Sequence, residues 1–368
     1  MILAKIVGVG KCVPKKIIEN AELYGKVKNF EAEKARDSFL KKGEKVADFD
    51  DAQIFDLWVQ RVTGIKRRPF VSDGEFEKGL EAEDMARQAS SIALEEAKLT
   101  PKDLDHIIFS TYSNNRLIPS AACKLSDMLG TNCSVRTLNG ACSGFLDGLI
   151  DATIKVRAGV FKRILVVAAE NMSDKMNYDD PKSSIIFSDG AGACVVSAVD
   201  EGKRSINLLG FGGGVQYSEQ VYMERLSHIL FNDGPYVQRN AVQTMYGVME
   251  KAILASKKTF ADLSCVIPHQ ANGRIITALD AKIKNTLSQL SSSDPSKQES
   301  EDRSKSFFTV NCIADYGNLS SASVPVAFDD YLKGRFSKDH SNKLDEGKIM
   351  VLASVGGGYT YAAIALSE

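Results

Sequence analysis

Two stretches of this chain run through the same succession of patterns, and that succession limits the fold more than any single motif. The first reads "DLDHIIFSTYS", then "GACSGFLDGLIDATIKVRAG", then "KRILVVAAE"; the second reads "DLSCVIPHQAN", then "GNLSSASVPVAFDDYLKG", then "GKIMVLASVGG". In each, an apolar run of strand length leads through further structure to a small-residue turn, an amphipathic helix and a second buried strand. Apolar runs at 106–113, 163–170, 265–272 and 348–358, each followed by a segment of helical period, imply α/β layering. The likeness is one of order and composition with few identities, and it predicts an internal duplication. If the halves pack as related sheets, the turns at Cys142 and Asn318 become equivalent positions. The loop holding His269 then lies nearby at the carboxyl end of a strand, where ligand sites form in open α/β sheets.

At 368 residues with 44% apolar content, the chain can bury the core of one large α/β domain or two ordinary ones. Lys and Arg number 46 against 47 Asp and Glu, a net charge of -1, so no global field recruits nucleic acid or an anionic membrane. No window reaches the roughly 18 consecutive apolar residues of a membrane span, and no basic segment precedes the short apolar run at the amino terminus. The expectation is a cytoplasmic protein. Seven cysteines, odd in number and without a CxxC pair, argue against a disulfide framework or a zinc site.

Cys142, in "LNGACSGFLDGL", is either a small packing residue or a nucleophile at a helix amino terminus, where the thiol pKa is lowered and backbone amides lie close. Four histidines are available as a base. His106, His228 and His340 read as surface or element-edge residues, whereas His269 in "CVIPHQANGRII" follows a buried strand and opens a loop-to-helix junction. Asn318 in "DYGNLSSASVP" enters a helix and is by default a cap. Three glycines at 356–358 follow a buried strand, explained by backbone approaching a ligand or by tight packing. Together the set supplies a thiol, an imidazole, a side-chain amide and free N–H donors, which suits thioester chemistry through a tetrahedral intermediate.

Two segments stand outside the repeat. Residues 24–58 form a charge-rich, helical excursion that either covers an entrance or partner surface or is solvated surface. Residues 288–305, "SQLSSSDPSKQESEDRSK", read as a disordered polar insertion.

The chain resembles β-ketoacyl-acyl carrier protein synthase III, a condensing enzyme of the thiolase superfamily. The motifs run in order from "VGVGKCVPKKIIENAEL" and "WVQRVTGIKRR" through "PSAACKLSDMLG", "GACSGF", "SIIFSDGAGACVV", "PHQANGRII" and "YGNLSSASVP" to "GGGYTYAAIAL". The resemblance implies a thiolase-like, duplicated α-β-α-β-α fold in five layers, with halves at 1–173 and 174–368, and a homodimer. It implies that Cys142 takes an acyl group from an acyl-coenzyme A, with its own amide and that of Gly357 as oxyanion hole. His269 and Asn318 then act on malonyl-acyl carrier protein as carbon dioxide leaves. Coenzyme A thioester enters as substrate, and no metal or redox cofactor is implied.

The resemblance further implies that Trp58 and Arg61 hold the nucleotide, that Arg239, Arg274 and Lys282 dock acidic acyl carrier protein, and that Ile118 and Phe187 shape the acyl pocket. Departures stand beside these. Val62 occupies a position where the family commonly has arginine, Lys182 follows Pro181 where another arginine is expected, and Ile118 replaces an aromatic residue that reaches the neighbour's pocket. Two other classes compete with condensation: acyl transfer to an oxygen or nitrogen acceptor, and a non-catalytic partner subunit.

Overall fold

The computed structural model describes residues 2–203, 205–223, 230–232, 234–292, 306–336, 344 and 346–368. The first half contributes strands β1 (Lys5–Cys12), β2 (His106–Ser110), β3 (Ser134–Leu138), β4 (Arg163–Glu170) and β5 (Gly190–Ser197). The second contributes β6 (Ile206–Val215), β7 (Leu263–Pro268), β8 (Phe308–Thr309), β9 (Ile349–Val355) and β10 (Thr360–Ser367). The ten strands run in the order β8-β7-β9-β10-β6-β1-β5-β4-β2-β3. Read outward from the middle, the two sets are the same. In each set three strands run parallel (β3, β2, β4 and β8, β7, β9) and the remaining two pair antiparallel, and the sets join in the short β1–β6 pairing of Lys5 with Asn207 and Ile6 with Ile206.

The helices repeat as well. Helices α1 (Ala32–Leu40) and α2 (Asp51–Thr63) precede α3 (Glu81–Ala97), α4 (Ala121–Leu129) and α5 (Gly144–Arg157). Helices α6 (Gly234–Ala255), α7 (Gly273–Ser292) and α8 (Ser323–Leu332) take the same places in the second half as α3, α4 and α5. Alternation along each strand builds the layers, because successive side chains face opposite sides. On β4, Ile164, Val166 and Ala168 join the central core with α5 and α8, while Leu165, Val167 and Ala169 face α3 and α4. On β9, Met350 and Leu352 join that same central core, and Ile349, Val351 and Ala353 face α6 and α7. The product is helix, sheet, helix, sheet, helix.

Matching glycines carry the outer helices close to the sheets. A Cβ at Gly8 or Gly10 of β1 would stand 2.2 or 2.3 Å from the Ala93 or Ala89 carbonyl of α3, and one at Gly210 of β6 would stand 2.3 Å from the Ser256 amide after α6. By strand membership the halves divide between β5 and β6, not at residue 173. The strand at 190–197 returns antiparallel between β1 and β4, so it completes the first sheet.

The expected strands are present with shifted ends. The run at 265–272 is strand only to Pro268, which leaves His269 and the residues after it beyond the sheet. The excursion at 24–58 is not a solvated helix alone: Phe39 of α1 and Ile54 of α2 are buried together with Val46. Residues 288–292 of the polar insertion continue α7, and 293–305 lie outside the described residues.

Candidate active site

Four chain turns, each beyond the carboxyl end of a strand, meet between the two sheets. Cys142 sits in the turn Ala141–Ser143 that opens α5, and Ser320–Ala322 is the corresponding turn before α8. Each turn begins on a non-glycine residue in the left-handed region, Ala141 at φ 47° and Ser320 at φ 52°. Such residues cost about 1 kcal/mol each and persist where surrounding contacts hold them. Glycine lets α5 begin close against the end of β2: a Cβ at Gly144 would stand 2.1 Å from Ser110 Oγ and would displace that hydroxyl.

Cys142, His269, Asn318, Gly357 and Phe187 line one cavity together with Met245, Asn272 and Ile275. Cys142, Phe187 and Gly357 also line a second chamber of about 560 Å³ whose wall includes Tyr112, Leu117, Thr137 and Val221. The thiol therefore stands where two spaces join. That volume lies within the range of small-molecule sites, roughly 300–1,000 Å³.

The backbone amides of Gly357 and of Cys142 itself act to lower the thiol pKa, and Ser320 Oγ lies 3.5 Å from the sulfur. Burial nevertheless pushes the thiol up to about 11, and the nearby Glu170 carboxyl pushes in the same direction. The resting sulfur is thus protonated, contrary to the lowered pKa expected of a helix amino terminus. Removing a thiolate from water costs more here than the local donors return. His269 is pushed down to about 3 by burial alone, its amide donates to Ala353 O at 2.7 Å, and its Nδ1 is buried without a hydrogen-bond partner. The imidazole is neutral. Asn318 is held by the Ile186 carbonyl, which accepts its amide at 3.0 Å, and its Oδ1 accepts the Ser320 amide at 2.8 Å. That bond turns Nδ2 to the opposite side. Asn318 therefore caps a turn and lines the cavity at once.

Residues 137–211 match the family described as 3-Oxoacyl-[acyl-carrier-protein (ACP)] synthase III, and residues 302–367 match its C-terminal counterpart. The Beta-ketoacyl-[acyl-carrier-protein] synthase III of Oceanobacillus iheyensis is 30% identical over 363 residues, which cover 98% of this chain and 97% of that protein. The chain belongs to the synthase III family. Among solved structures, the 3-oxoacyl-[acyl-carrier-protein] synthase III of Aquifex aeolicus superposes with a TM-score of 0.76 at 27% identity, covering 99% of this chain and 100% of that one. The priming beta-ketosynthase of the R1128 polyketide pathway superposes equally, with a TM-score of 0.76, 26% identity and coverage of 99% and 96%.

The remaining residues implied by the synthase III resemblance do not gather at the thiol. Trp58 is half-buried against Phe30 and Phe55, with ring centroids 5.0 and 6.0 Å away, and Arg61 pairs with Glu44 while its guanidinium covers the Phe39 ring at 4.6 Å. Both nucleotide candidates are thus occupied by the chain's own 24–58 excursion. Neither lines the cavities at Cys142. Arg274 is exposed and donates from Nε and Nη2 to the Arg61 carbonyl at 3.1 and 2.8 Å. Lys282 donates to Gln243 and lies 4.4 Å over the Tyr246 ring. Arg239 falls within α6, and its side chain lies outside the described residues. Ile118 is 90% exposed in the loop before α4 and is not among the residues lining the chamber that Leu117 borders.

His106, at the start of β2, is buried, stacked on Phe161 at 4.8 Å with Nδ1 3.0 Å from Ser134 Oγ; His228 and His340 lie outside the described residues. Among the described residues no three His, Cys, Asp or Glu side chains converge to hold a metal ion, and no helix is long and apolar enough to cross a membrane. Sequence reasoning missed Tyr112, Glu170 and Ser320. "YGNLSSASVP" contains the serine, but its neighbours make it look like one of several helix-entry hydroxyls.

Proposed function

We infer that this protein is a condensing enzyme of the synthase III type, joining an acyl primer to a malonyl unit with loss of carbon dioxide at the start of fatty-acid or related synthesis. The convergence of Cys142, His269 and Asn318 on one cavity carries the reading. Cys142 attacks the thioester carbonyl of an acyl-coenzyme A, and the resulting oxyanion takes N–H bonds from Cys142 and Gly357. The carbon-sulfur bond of the donor then breaks, coenzyme A leaves as the free thiol carrying the proton given up by Cys142, and the acyl chain occupies the larger chamber beside Tyr112 and Phe187.

Malonyl-acyl carrier protein reaches the same sulfur from the side of Met245 and Asn272. His269, neutral because burial holds its pKa near about 3, presents a fixed N–H, and Asn318 presents Nδ2. Both donate to the malonyl thioester carbonyl, so the electron pair released with carbon dioxide is stabilised as an enolate. The enolate carbon attacks the acyl-cysteine, the carbon-sulfur bond to Cys142 breaks, and β-ketoacyl-acyl carrier protein departs. Exposed Arg274 lines the α2–α7 groove, and we assign it to meeting an acidic carrier there.

Intact-protein mass spectrometry and carbon dioxide release separate the steps. Cys142→Ala gains no acyl mass. His269→Ala and Asn318→Ala still gain it but lose carbon dioxide release by about a hundredfold or more, the scale of a lost oxyanion donor. Condensation by Cys142→Ala at the native rate removes the assigned nucleophile, and acyl transfer to an alcohol or amine without carbon dioxide replaces the reaction class.

A further inference from the structure

Behind the thiol stands a chain of hydroxyl groups that the scheme above leaves without a part. Ser320 Oγ lies 3.5 Å from Cys142 Sγ and 2.6 Å from Tyr112 Oη. The serine is fully buried, and its left-handed backbone, tied through its amide to Asn318 Oδ1, aims the side chain at the sulfur. Burial holds the Tyr112 hydroxyl well above its ordinary pKa, so it remains a proton donor.

The two ends of this chain come from opposite halves of the fold, and one carboxylate ties them together. Glu170, at the end of β4, is fully buried. Its Oε2 accepts the amides of Tyr112 and Ser113 at 3.3 and 3.2 Å and the hydroxyls of Thr111 and Ser113 at 3.2 and 2.7 Å. Its Oε1 accepts the Ser321 hydroxyl at 2.7 Å. The neighbours of both relay residues are thereby fixed to one side chain. Among the groups around the sulfur, Ser320 is the largest influence opposing the cost of burying a thiolate.

We propose that Ser320 is a further catalytic residue, which donates its hydroxyl hydrogen bond to the Cys142 sulfur as the thiolate forms, with Tyr112 donating in turn to Ser320 as a positioning residue. No proton is transferred along the relay. The two O–H dipoles align toward the developing charge, and each polarises the next. The proposal rests on the acyl-cysteine reading, yet its test needs neither acyl donor nor malonyl substrate.

The experiment is alkylation of the full-length protein by iodoacetamide, followed at the Cys142 peptide by mass spectrometry across about pH 7 to 9, around the ordinary thiol range. Ser320→Gly removes the hydroxyl and is compatible with the left-handed backbone, and thermal unfolding verifies that it folds. It is expected to react about tenfold more slowly at each pH, the size of one charge-assisted hydrogen bond. Steric reasoning gives the opposite sign, since losing the hydroxymethyl group opens space beside the sulfur. Tyr112→Phe is expected to slow alkylation about threefold as a single neutral bond would, and the double variant to be no slower than Ser320→Gly. Equal or faster alkylation of Ser320→Gly, or losses that multiply in the double variant, overturns the relay. Absence of carbon dioxide release by the unmodified protein, with the alkylation difference present, would instead count against the condensation scheme alone.

Discussion

A methyl group at Gly356 would stand 2.8 Å from the Cys142 amide nitrogen and 3.0 Å from that of Ser143. Both neighbours are backbone in the turn that opens α5, so they can give way only if that turn shifts. Gly356→Ala is therefore expected to displace the amides that face the sulfur and to slow acylation about a hundredfold in a single-turnover mass measurement, with circular dichroism unchanged. His269 makes a second residue-scale prediction. With its pKa pushed down to about 3, its imidazole nitrogens should give neutral-form NMR shifts throughout about pH 5 to 8, where a free histidine titrates. A midpoint inside that interval would remove the neutral donor from the mechanism. At this scale Cys142, His269 and Asn318 were legible because each stands in a short motif at a turn or loop that leads into a helix. Tyr112 and Glu170 were not, since Tyr112 meets Ser320 across 208 positions of sequence and no local pattern marks the encounter.

The excursion from 24 to 58 shows how an element can alter what a motif does. Its sequence is charged enough to suggest a solvated helix, yet Phe30 and Phe39 dock on Trp58 and Arg61. Aromatic faces bury large apolar area and also receive cations, so the two contacts hold both side chains the family resemblance assigns to the nucleotide. Trp58 is the single tryptophan, and its fluorescence reports on this contact. Coenzyme A is expected to leave the emission of the unmodified protein unchanged and to quench it saturably in Phe30→Ala. Quenching of the unmodified protein at low coenzyme A would show that the excursion opens. The strand ends teach the same lesson: an apolar run does not state where its last hydrogen bond falls, and His269 is useful because β7 stops one residue before it.

On the scale of the whole molecule, Glu170 ties the halves together through Ser321, and buried carboxyl groups give stability a definite pH slope. Burial pushes Glu170 up to about 7 from 4.5 and Asp189 up to about 6 from 3.8. Between those values the folded protein holds protons that the unfolded chain has released, so these groups make stability fall as pH rises. His269, pushed down to about 3 from 6.5, acts oppositely, and its share is lost as pH falls through that interval. Glu170→Gln removes one slope. Its unfolding free energy relative to the unmodified protein is expected to shift by on the order of 3 kcal/mol in the variant's favour between about pH 4.5 and 7.5, measured by denaturant titration. A constant difference across that range would show that Glu170 is ionised throughout.

Local pattern was enough to establish the layered α/β class, the duplication and the small-residue turns at Cys142 and Asn318, because strand and helix periods and turn chemistry are written in adjacent residues. The exchange of β5 into the first sheet, the occupied faces of Trp58 and Arg61, and the Tyr112–Ser320–Cys142 chain were decided only on folding. Each depends on which distant surfaces share one buried volume, and there desolvation, which no short segment encodes, sets whether a thiol, an imidazole or a carboxyl carries its charge.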